Sequence, residues 1–345
     1  MTLDASTPTA LASHATPLTP TALAGRDLLR LLDLSPAEIQ LVLHTAVAQK
    51  AAWAAGDHSA PLAGKAVAII LEKPSFRTRS SFEIGAYRLG AHSLVMADDH
   101  SAFSRGEPIK DTGCLLNHFV DAVVLRTFGQ AKIEELAQWC DIPVINALTD
   151  DYHPCQILAD FLTIMEHGRQ LKGLKLTYVG DGNNMANTYL EGGALAGMHV
   201  RIASPKGYEV APGLLAECQQ AAERYGTGAV LELTNDPVAA VRDADVVLTD
   251  TWTSMGDEAE HDARLAAFQG FQVNAALMAH AKPDALFMHC LPAHRGEEVA
   301  PEVIDGPQSV IYDEGGNRLH AQKAVMALLM GVPAPAQALD AAAQA

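Results

Sequence analysis

A short polar stretch, Ser75–Arg79, carries two hydroxyls and two guanidiniums in five residues, and it closely follows the apolar run Ala66–Leu71. If a parallel strand passes into a helix here, these side chains lie at the helix N-terminus, where N–H groups are unpaired and the partial charge is positive. Such a site suits a phosphate-like dianion, and each charge-assisted hydrogen bond contributes about 1.5–3 kcal/mol. A capped helix with solvated arginines is the competing interpretation, and this stretch alone leaves both open.

Further polar segments follow other apolar runs in the same way. They are Arg126-Thr127, His153–Gln156, Asp181–Asn184, Asp250–Gly256 and His289–Pro292. Taken singly, Arg126 could form a strand-end ion pair, and His153 or Asp250 could cap a helix. Cys290 could be an inert buried thiol. Ligands of open parallel sheets bind beyond the carboxyl ends of the strands. Because all these segments follow strands, one shared ligand-binding site explains them better than a separate structural role for each residue.

Common cofactor and metal motifs do not fit this sequence. The run Val179–Gly182 resembles the start of a dinucleotide fingerprint, but Met185 stands where a third small residue is needed. The next strand end, Ala203–Lys206, offers no acidic residue for a ribose. A phosphate loop, a nucleophile elbow and a zinc helix are also missing, and the histidines are scattered. We therefore predict neither a cofactor nor a catalytic metal.

Composition limits the function classes further. The 345 residues fit two domains of roughly 150 residues, and 49% hydrophobic with 19% charged residues is globular. A net charge of -17 argues against nucleic acid or an anionic membrane as partner, and no apolar run is long enough for a membrane span. Five cysteines without a C-x-x-C pair favour a reducing cytoplasm over a disulfide framework. Clustered arginines in such an acidic chain favour a local anion.

The elements that would position these residues alternate between strand and helix in the first half of the chain. Residues 1–25 are predicted to be a flexible extension, and Ser35–Glu38 reads as a capping box that starts a helix to about Ala54. The predicted strands are 66–71, 93–97, 122–127 and 143–147, with helical stretches near 80–90, 110–119 and 130–140. This alternation predicts βαβ units and a parallel sheet.

The pattern restarts after Gly173 and predicts a second domain. Its predicted strands are 174–179, 200–203, 230–233, 246–249, 286–289 and 310–312. The fold class is therefore α/β, with two doubly wound parallel-sheet domains joined by interdomain helices. The predicted domains are 26–167 and 168–318, with a bridging helix at 154–167. A last helix at 319–330 is expected to pack back on the first domain, before a flexible tail at 331–345.

Taken together, these segments resemble the aspartate/ornithine carbamoyltransferase family over nearly the whole chain, from about residue 26 to 330. Ser75–Arg79, His153–Gln156 and Arg318 look like parts of the family's carbamoyl phosphate site. Asp250–Gly256 looks like its ornithine loop, and His289–Pro292 looks like the segment where both substrates meet.

The resemblance implies a role for each candidate. The carbamoyl phosphate-binding residues would be Ser75, Phe76, Arg77, Thr78, Arg126, His153, Gln156, Cys290, Leu291 and Arg318. The ornithine-binding residues would be Asn184, Asp250, Ser254 and Met255. The catalytic residues would be Arg126, His153, Cys290 and Thr78.

By the same resemblance, the chain would transfer a carbamoyl group from carbamoyl phosphate to L-ornithine, giving L-citrulline and phosphate in arginine biosynthesis. No cofactor or metal is implied, and the family's trimers imply a homotrimer or a multiple of trimers. Several alternatives stay open: another acceptor such as N-acetylornithine, putrescine or aspartate, a catabolic direction, or a catalytically silent binding protein.

Three positions depart from the family pattern. Phe76 stands where Thr is common, so we expect its backbone N–H to contribute more than its side chain. Ala102 falls where many relatives carry a Gln that reaches the phosphate from a neighbouring subunit, and nearby polar residues would have to replace it. Gly316 replaces the usual Glu just before Asn317-Arg318.

Overall fold

A parallel sheet forms the first half of the chain. The computed structural model describes residues 18–97, 103, 106–253 and 258–345. The strands of this sheet are β1 (Ala66–Leu71), β2 (His92–Ala97), β3 (Ala122–Arg126) and β4 (Val144–Leu148). They lie in the order β2-β1-β3-β4, with every pair parallel. The inner strands are continuous apolar runs because helices cover both faces.

Helix α1 precedes β1, and α2 to α4 alternate with the strands as the sequence predicted. They are α1 (Pro36–Ala54), α2 (Phe76–Leu89), α3 (Ile109–Phe119) and α4 (Gln130–Trp139). The predicted capping box at the start of α1 is confirmed, since the Ser35 hydroxyl accepts from the Glu38 N–H at 3.3 Å and the Glu38 carboxylate accepts from the Ser35 N–H at 2.7 Å. Helix α2 begins where the anion-binding stretch was predicted.

A second parallel sheet forms from residues after Gly173. Its strands are β5 (Lys175–Val179), β6 (His199–Ala203), β7 (Val230–Thr234), β8 (Val246–Thr249) and β9 (Leu286–His289), in the order β7-β6-β5-β8-β9. The accompanying helices are α6 (Asn184–Ala196), α7 (Pro212–Tyr225), α8 (Pro237–Val241), α9 (His261–Ala267), α10 (Ala275–Met278) and α11 (Pro301–Ile304). The chain order reverses between β5 and β8, which is where a doubly wound sheet opens a crevice.

Two long buried helices link the sheets. Helix α5 (Pro154–Glu166) follows β4, and helix α12 (Ile311–Leu329) packs against α5, α2 and α1. The predicted strand at 310–312 is wrong, because Ile311 begins α12 instead. One parallel bridge from Ser309 to Phe287 is the whole of the strand pairing there, and the chain turns into a helix directly after it.

The chain ends also pack on the molecule. No packed element was predicted after Gly331, yet helix α13 (Ala336–Ala342) lies against α1 and buries Ala338 and Ala342. Within the predicted N-terminal extension, Leu23 is buried and the Gly25 N–H donates to the Leu329 carbonyl, while residues 1–17 lie outside the described part. None of the described helices combines the length and apolarity that a membrane span needs.

Candidate active site

A cavity of about 1010 Å³ lies between the two sheets. Its walls come from the carboxyl ends of β1, β3 and β4 on one side and of β5, β8 and β9 on the other. The predicted site residues that line it are Ser75, Phe76, Arg77, Arg126, His153, Gln156, Asn184, Asp250, Cys290, Leu291 and Arg318. Thr78 is buried behind this wall, whereas Ser254, Met255 and Ala102 lie outside the described residues.

The N-terminus of α2 faces the cavity. Ser75 is its N-cap, in extended conformation, and its hydroxyl accepts from the Thr78 N–H at 3.3 Å. The Phe76 side chain is 81% exposed, so this residue offers the cavity mainly its backbone. The Arg77 guanidinium donates to the backbone carbonyl of Leu291, which follows β9. Helix α2 thereby brings residues of the first sheet into contact with the second.

Three guanidiniums converge on the cavity without a carboxylate to neutralise them. Across the described residues, Arg77, Arg126 and Arg318 form no ion pair, and Arg126 Nε is buried without a hydrogen-bond partner. Burial, together with the charges of Arg318 and Arg77, lowers the pKa of Arg126 to about 10, so it stays a cation at neutral pH. The Thr78 hydroxyl lies 3.4 Å from Arg126 and 3.5 Å from Arg318. Such a concentration of positive charge requires an anion.

His153 lies beside these arginines at the start of α5. Its backbone N–H donates to the Thr188 hydroxyl at 2.9 Å, and Pro154 occupies the first helical position. Complete burial and the neighbouring positive charges of Arg318, Arg126 and Arg77 hold the pKa of His153 well below its usual 6.5. The imidazole is therefore neutral at pH 7, and its buried Nδ1 has no partner among the described residues.

Asp250 supplies negative charge on the side of the second sheet. Its carboxylate accepts from the Thr251 N–H at 2.8 Å, the Asn183 amide at 3.1 Å and the Cys290 thiol at 3.2 Å. Burial and the nearby carboxylates, Asp250 first, raise the pKa of Cys290 well above its usual value. Cys290 is thus a neutral hydrogen-bond donor at pH 7 and a poor nucleophile.

Gln156 orients Arg318 instead of extending its amide nitrogen into the cavity. Its amide oxygen accepts from Arg318 at 2.6 Å, and its nitrogen donates to Asp160 at 2.8 Å and to Glu314 at 3.3 Å. The other Glu314 oxygen accepts from the His289 N–H at 2.8 Å. The carboxylates of Asp160 and Glu314 therefore fix the guanidinium indirectly.

Sequence reasoning missed Lys73 and, within the predicted segment Asp181–Asn184, named Asn184 but not Asn183. Lys73 follows β1, pairs with Asp150 and lies 4.3 Å from the ring centre of Phe128. Its position soon after the buried strand β1 is the feature of the sequence that could have identified it. Asn183 caps α6 and also holds Asp250, whereas the neighbouring Asn184, which was predicted, donates to the Thr149 carbonyl at 2.7 Å.

One group of possible metal ligands lies inside the cavity wall. Ligand atoms of Asp250, His289 and Cys290 come within 4.8 Å of one another. The thiol already donates to Asp250, and His289 Nδ1 accepts from the Leu291 N–H at 2.9 Å. His289 Nε2 lies 3.2 Å from Glu298. Because these atoms satisfy one another, the group is closed to a cation in this arrangement.

Comparison with protein-family models finds two matches. Residues 26–166 match the model described as "Aspartate/ornithine carbamoyltransferase, carbamoyl-P binding domain". Residues 172–329 match the model described as "Aspartate/ornithine carbamoyltransferase, Asp/Orn binding domain". Together they cover both sheets and every residue that lines the cavity.

Similar proteins share most of this chain's length. An ornithine carbamoyltransferase from Symbiobacterium thermophilum is 52% identical over 310 residues, which are 90% of this chain and 99% of that protein. One from Thermococcus kodakarensis is 49% identical over 309 residues, 90% of this chain and 98% of that protein. The solved structure of ornithine carbamoyltransferase from Pyrococcus furiosus has a TM-score of 0.86 at 49% identity, covering 90% of this chain and 98% of that one.

Proposed function

Because the chain belongs to the aspartate/ornithine carbamoyltransferase family and is a carbamoyltransferase, we propose that it converts carbamoyl phosphate and L-ornithine into L-citrulline and phosphate. The single observation that carries this proposal is the pairing of charges across one cavity. Three guanidiniums without carboxylate partners face it from one side, and the Asp250 carboxylate faces it from the other. A substrate with a phosphate and a substrate with an ammonium group fit these two sides.

The phosphate is held at the start of α2 and by the arginines. Ser75, Arg77 and Arg318 supply donors beside the first turn of the helix, whose N–H groups have no partner within the helix. The N-terminal end of the helix dipole adds to the positive potential. In this arrangement the phosphate is a leaving group, and residues 26–167 form the carbamoyl phosphate-binding domain.

The carbamoyl carbonyl is polarised by Arg126 and His153, and Thr78, which was also predicted to be catalytic, positions the Arg126 guanidinium from behind the cavity wall. The carbonyl oxygen gains negative charge as the amine attacks, and preorganised donors stabilise that charge most where water is excluded. The neutral imidazole of His153 suits this role because it adds a hydrogen bond without adding a further buried cation. Cys290 and Leu291 line the same cavity from the side of the second sheet.

The side-chain amine of ornithine must attack in its neutral form. With a lysine-like pKa of about 10.4, its deprotonation at pH 7 costs about 4.6 kcal/mol without help from the site. The cationic cleft lowers that pKa, whereas a carboxylate beside the amine would raise it. We therefore assign Asp250 and Asn184 to the amino-acid end of ornithine and Cys290 to the vicinity of the attacking nitrogen. The departing phosphate dianion accepts the proton.

The choice of acceptor rests on Asp250. Ornithine brings a free α-amino group as its cation, whereas N-acetylornithine and putrescine would leave the carboxylate of Asp250 buried without one. Carbamoyl phosphate should be assayed with ornithine, N-acetylornithine, putrescine and aspartate under the same conditions. We expect citrulline from ornithine at the highest kcat/KM. A failure to form citrulline, or a higher kcat/KM for another acceptor, would overturn the proposal.

The cellular role follows from the reaction. We propose that citrulline formation serves arginine biosynthesis, with catabolic use of the reverse reaction as the alternative. Measuring whether deletion of the gene creates an arginine requirement separates the two. A cytoplasmic location stays a prediction from the cysteine content.

We also propose that the chain assembles as a homotrimer or a multiple of trimers. Support comes from large apolar side chains that are exposed around β2, α2 and α3: Phe76, Ile84, Tyr87, Leu94, Leu115 and Phe119. Clusters of this kind on an isolated chain mark interaction surfaces. Native mass spectrometry should show three chains or a multiple of three, and a stable monomer at micromolar concentration would contradict the proposal.

A further inference from the structure

An unpaired carboxylate oxygen lies at the rim of the cavity. Glu298 is 0% exposed, and its Oε1 accepts from the His294 N–H at 2.5 Å. The same oxygen lies 3.2 Å from His289 Nε2. The other oxygen, Oε2, is buried and has no hydrogen-bond partner among the described residues. A buried carboxylate oxygen without a partner is costly, so it points to something that binds there.

The hydrogen bonds of His289 show that its ring does not supply a positive charge to the Glu298 carboxylate. His289 Nδ1 accepts from the Leu291 N–H at 2.9 Å, so this nitrogen carries no hydrogen. The ring is then the neutral tautomer that donates from Nε2 to Glu298 Oε1. Within the described residues, Glu298 has no lysine or arginine as ion-pair partner. A cation from solution could supply the missing charge.

Further ligand atoms surround the unpaired oxygen. His294 Nδ1 lies 3.7 Å from Glu298 Oε2, and ligand atoms of Glu297 complete a group that comes within 4.8 Å of one another. His261 Nε2 is 3.8 Å from the Glu297 carboxylate, with its Nδ1 turned to the Thr253 hydroxyl at 3.2 Å. Two carboxylates and one imidazole, with a second imidazole in reach, are a typical ligand set for a divalent transition metal.

We propose that Glu298, His294 and Glu297 form a binding site for a divalent transition metal such as Zn²⁺, with His261 as a further ligand. Neighbouring ligand atoms of a tetrahedral zinc site lie about 3.4 Å apart at the usual bond lengths, so only small rotations are needed. Glu298 is fixed by its bonds, whereas His294 and Glu297 are partly exposed and can make these rotations. The imidazoles disfavour Mg²⁺ and Ca²⁺, which prefer oxygen ligands.

The site is distinct from the catalytic residues, although it lies beside them. His294 and His261 line the cavity at its outer edge, and Thr251 Oγ1 lies 3.1 Å from His294 Nδ1. A bound metal ion would link the His294–Glu298 loop to His261, the first residue of α9. Metal binding itself does not depend on the proposed carbamoyl transfer, and its measurement needs no turnover.

Binding of Co²⁺ to the full-length protein tests the proposal, because its spectrum reports the ligands. We expect one Co²⁺ per chain, with visible ligand-field bands of a nitrogen and oxygen site and no sulfur-to-cobalt charge-transfer band. Zn²⁺ should displace the Co²⁺. His294→Gln and Glu297→Gln should each weaken binding by roughly tenfold or more, since even outer-shell changes at metal sites cost roughly 10–100-fold. Both positions are partly exposed, so these variants should fold.

Matched controls use the same substitutions elsewhere in the second half of the chain. His280→Gln and Glu302→Gln change exposed residues and should leave Co²⁺ affinity unchanged. A charge-transfer band that disappears in Cys290→Ser would place the metal on Asp250, His289 and Cys290, and would overturn the proposal. Equal Co²⁺ affinity of wild type and His294→Gln, or no binding at millimolar Co²⁺, would overturn it as well.

Discussion

Arg77 and Asp250 face the same cavity from different sheets, and their charges suit different substrates. Replacing Arg77 with Ala removes the proposed charge-assisted bonds to the phosphate, each of which contributes about 1.5–3 kcal/mol. We expect Arg77→Ala to raise the KM for carbamoyl phosphate by roughly 10- to 100-fold and to change the KM for ornithine much less. Asp250→Ala should do the reverse. Steady-state kinetics with each substrate varied in turn measures both.

Arg79 provides the matched control for this experiment. It belongs to the same polar stretch but is exposed and pairs with Glu83 on the helix surface. Arg79→Ala should leave both KM values within about twofold, because an exposed pair of this kind contributes little. If Arg77→Ala and Asp250→Ala shifted both KM values equally, the division of the cavity between the two substrates would be wrong.

The neutral state of His153 has a consequence for stability as well as catalysis. Its folded-state pKa is held well below 6.5 by burial and by the arginines beside it. Below about pH 6.5 the unfolded chain binds a proton at this residue that the folded chain does not, so stability falls as the pH falls. The expected slope for one such proton is about 1.36 kcal/mol per pH unit.

His153→Gln isolates this contribution, because glutamine cannot take up the proton. Urea unfolding at several values between pH 5 and pH 7.5 should show that the variant loses less stability on acidification than the wild type. Its kcat should fall at every pH, since the proposed hydrogen-bond donor to the carbonyl is changed. Parallel stability curves for the two proteins would show that His153 is charged in the folded state.

At the level of elements, the strands were largely predictable. Buried parallel strands are continuous apolar runs, and β1, β8 and β9 have the bounds that the sequence predicted. The prediction failed at 310–312, where Val, Ile and Tyr have strand propensity. There the chain makes one bridge beside β9, and Ile311 is then buried at the start of α12. Propensity alone could not show that tertiary packing favours the helix.

The site residues at strand ends could be predicted from the sequence. The hydrogen bonds between residues that are far apart in sequence could not. Arg126 and Asp250 come at the ends of β3 and β8, so topology alone places them at the cavity. Gln156 and Asp160 lie one turn apart on α5, but Glu314 is 158 residues from Gln156 in sequence and reaches it only after α5 and α12 have packed. No spacing in the sequence could have revealed such a network.

The contact between α2 and α12 sets the distance between two arginines of the cavity. Helix α2 carries Arg77, helix α12 carries Arg318, and the helices meet at Gly85. A Cβ atom at Gly85 would lie 2.9 Å from the Met326 methyl and 3.3 Å from Lys323 Cγ. Gly85→Leu should therefore push the helices apart, costing about 1–3 kcal/mol of stability and raising the KM for carbamoyl phosphate.

Gly316→Ala is the corresponding control on α12. A Cβ atom there meets nothing within 4 Å, and the residue is exposed. An exposed helical Gly→Ala change should stabilise the protein by about 0.5–1 kcal/mol and leave the KM for carbamoyl phosphate unchanged. Thermal unfolding and steady-state kinetics on the two variants test the pair. A Gly85→Leu enzyme with unaltered KM would mean that the spacing of these helices does not control the cavity.

For the molecule as a whole, one buried network links the two sheets. Asp160 on α5 accepts from the Tyr189 hydroxyl of α6, and Glu314 on α12 accepts from the His289 N–H of β9. Gln156 lies between the two carboxylates. Burial raises the pKa of Asp160 to about 6, and burial with the charge of Asp160 raises the pKa of Glu314 well above its usual value. Each carboxyl group of the pair therefore holds its proton to a higher pH than it would in water.

This retained proton gives a test of how the sheets are held together. The folded-state pKa of Glu314 is raised, so above about pH 4.5 the folded chain binds a proton that the unfolded chain lacks. The stability therefore falls as the pH rises from about 4.5 through the folded-state pKa. Glu314→Gln resembles the protonated carboxyl group, so its stability should fall less than that of the wild type as the pH rises from about 4.5 to 9. Glu314→Ala should instead destabilise at every pH, by about 1–3 kcal/mol for each buried group left unpaired. Urea unfolding across this range measures all three proteins, and identical pH profiles for wild type and Glu314→Gln would show that the two sheets are joined through an ionised Glu314.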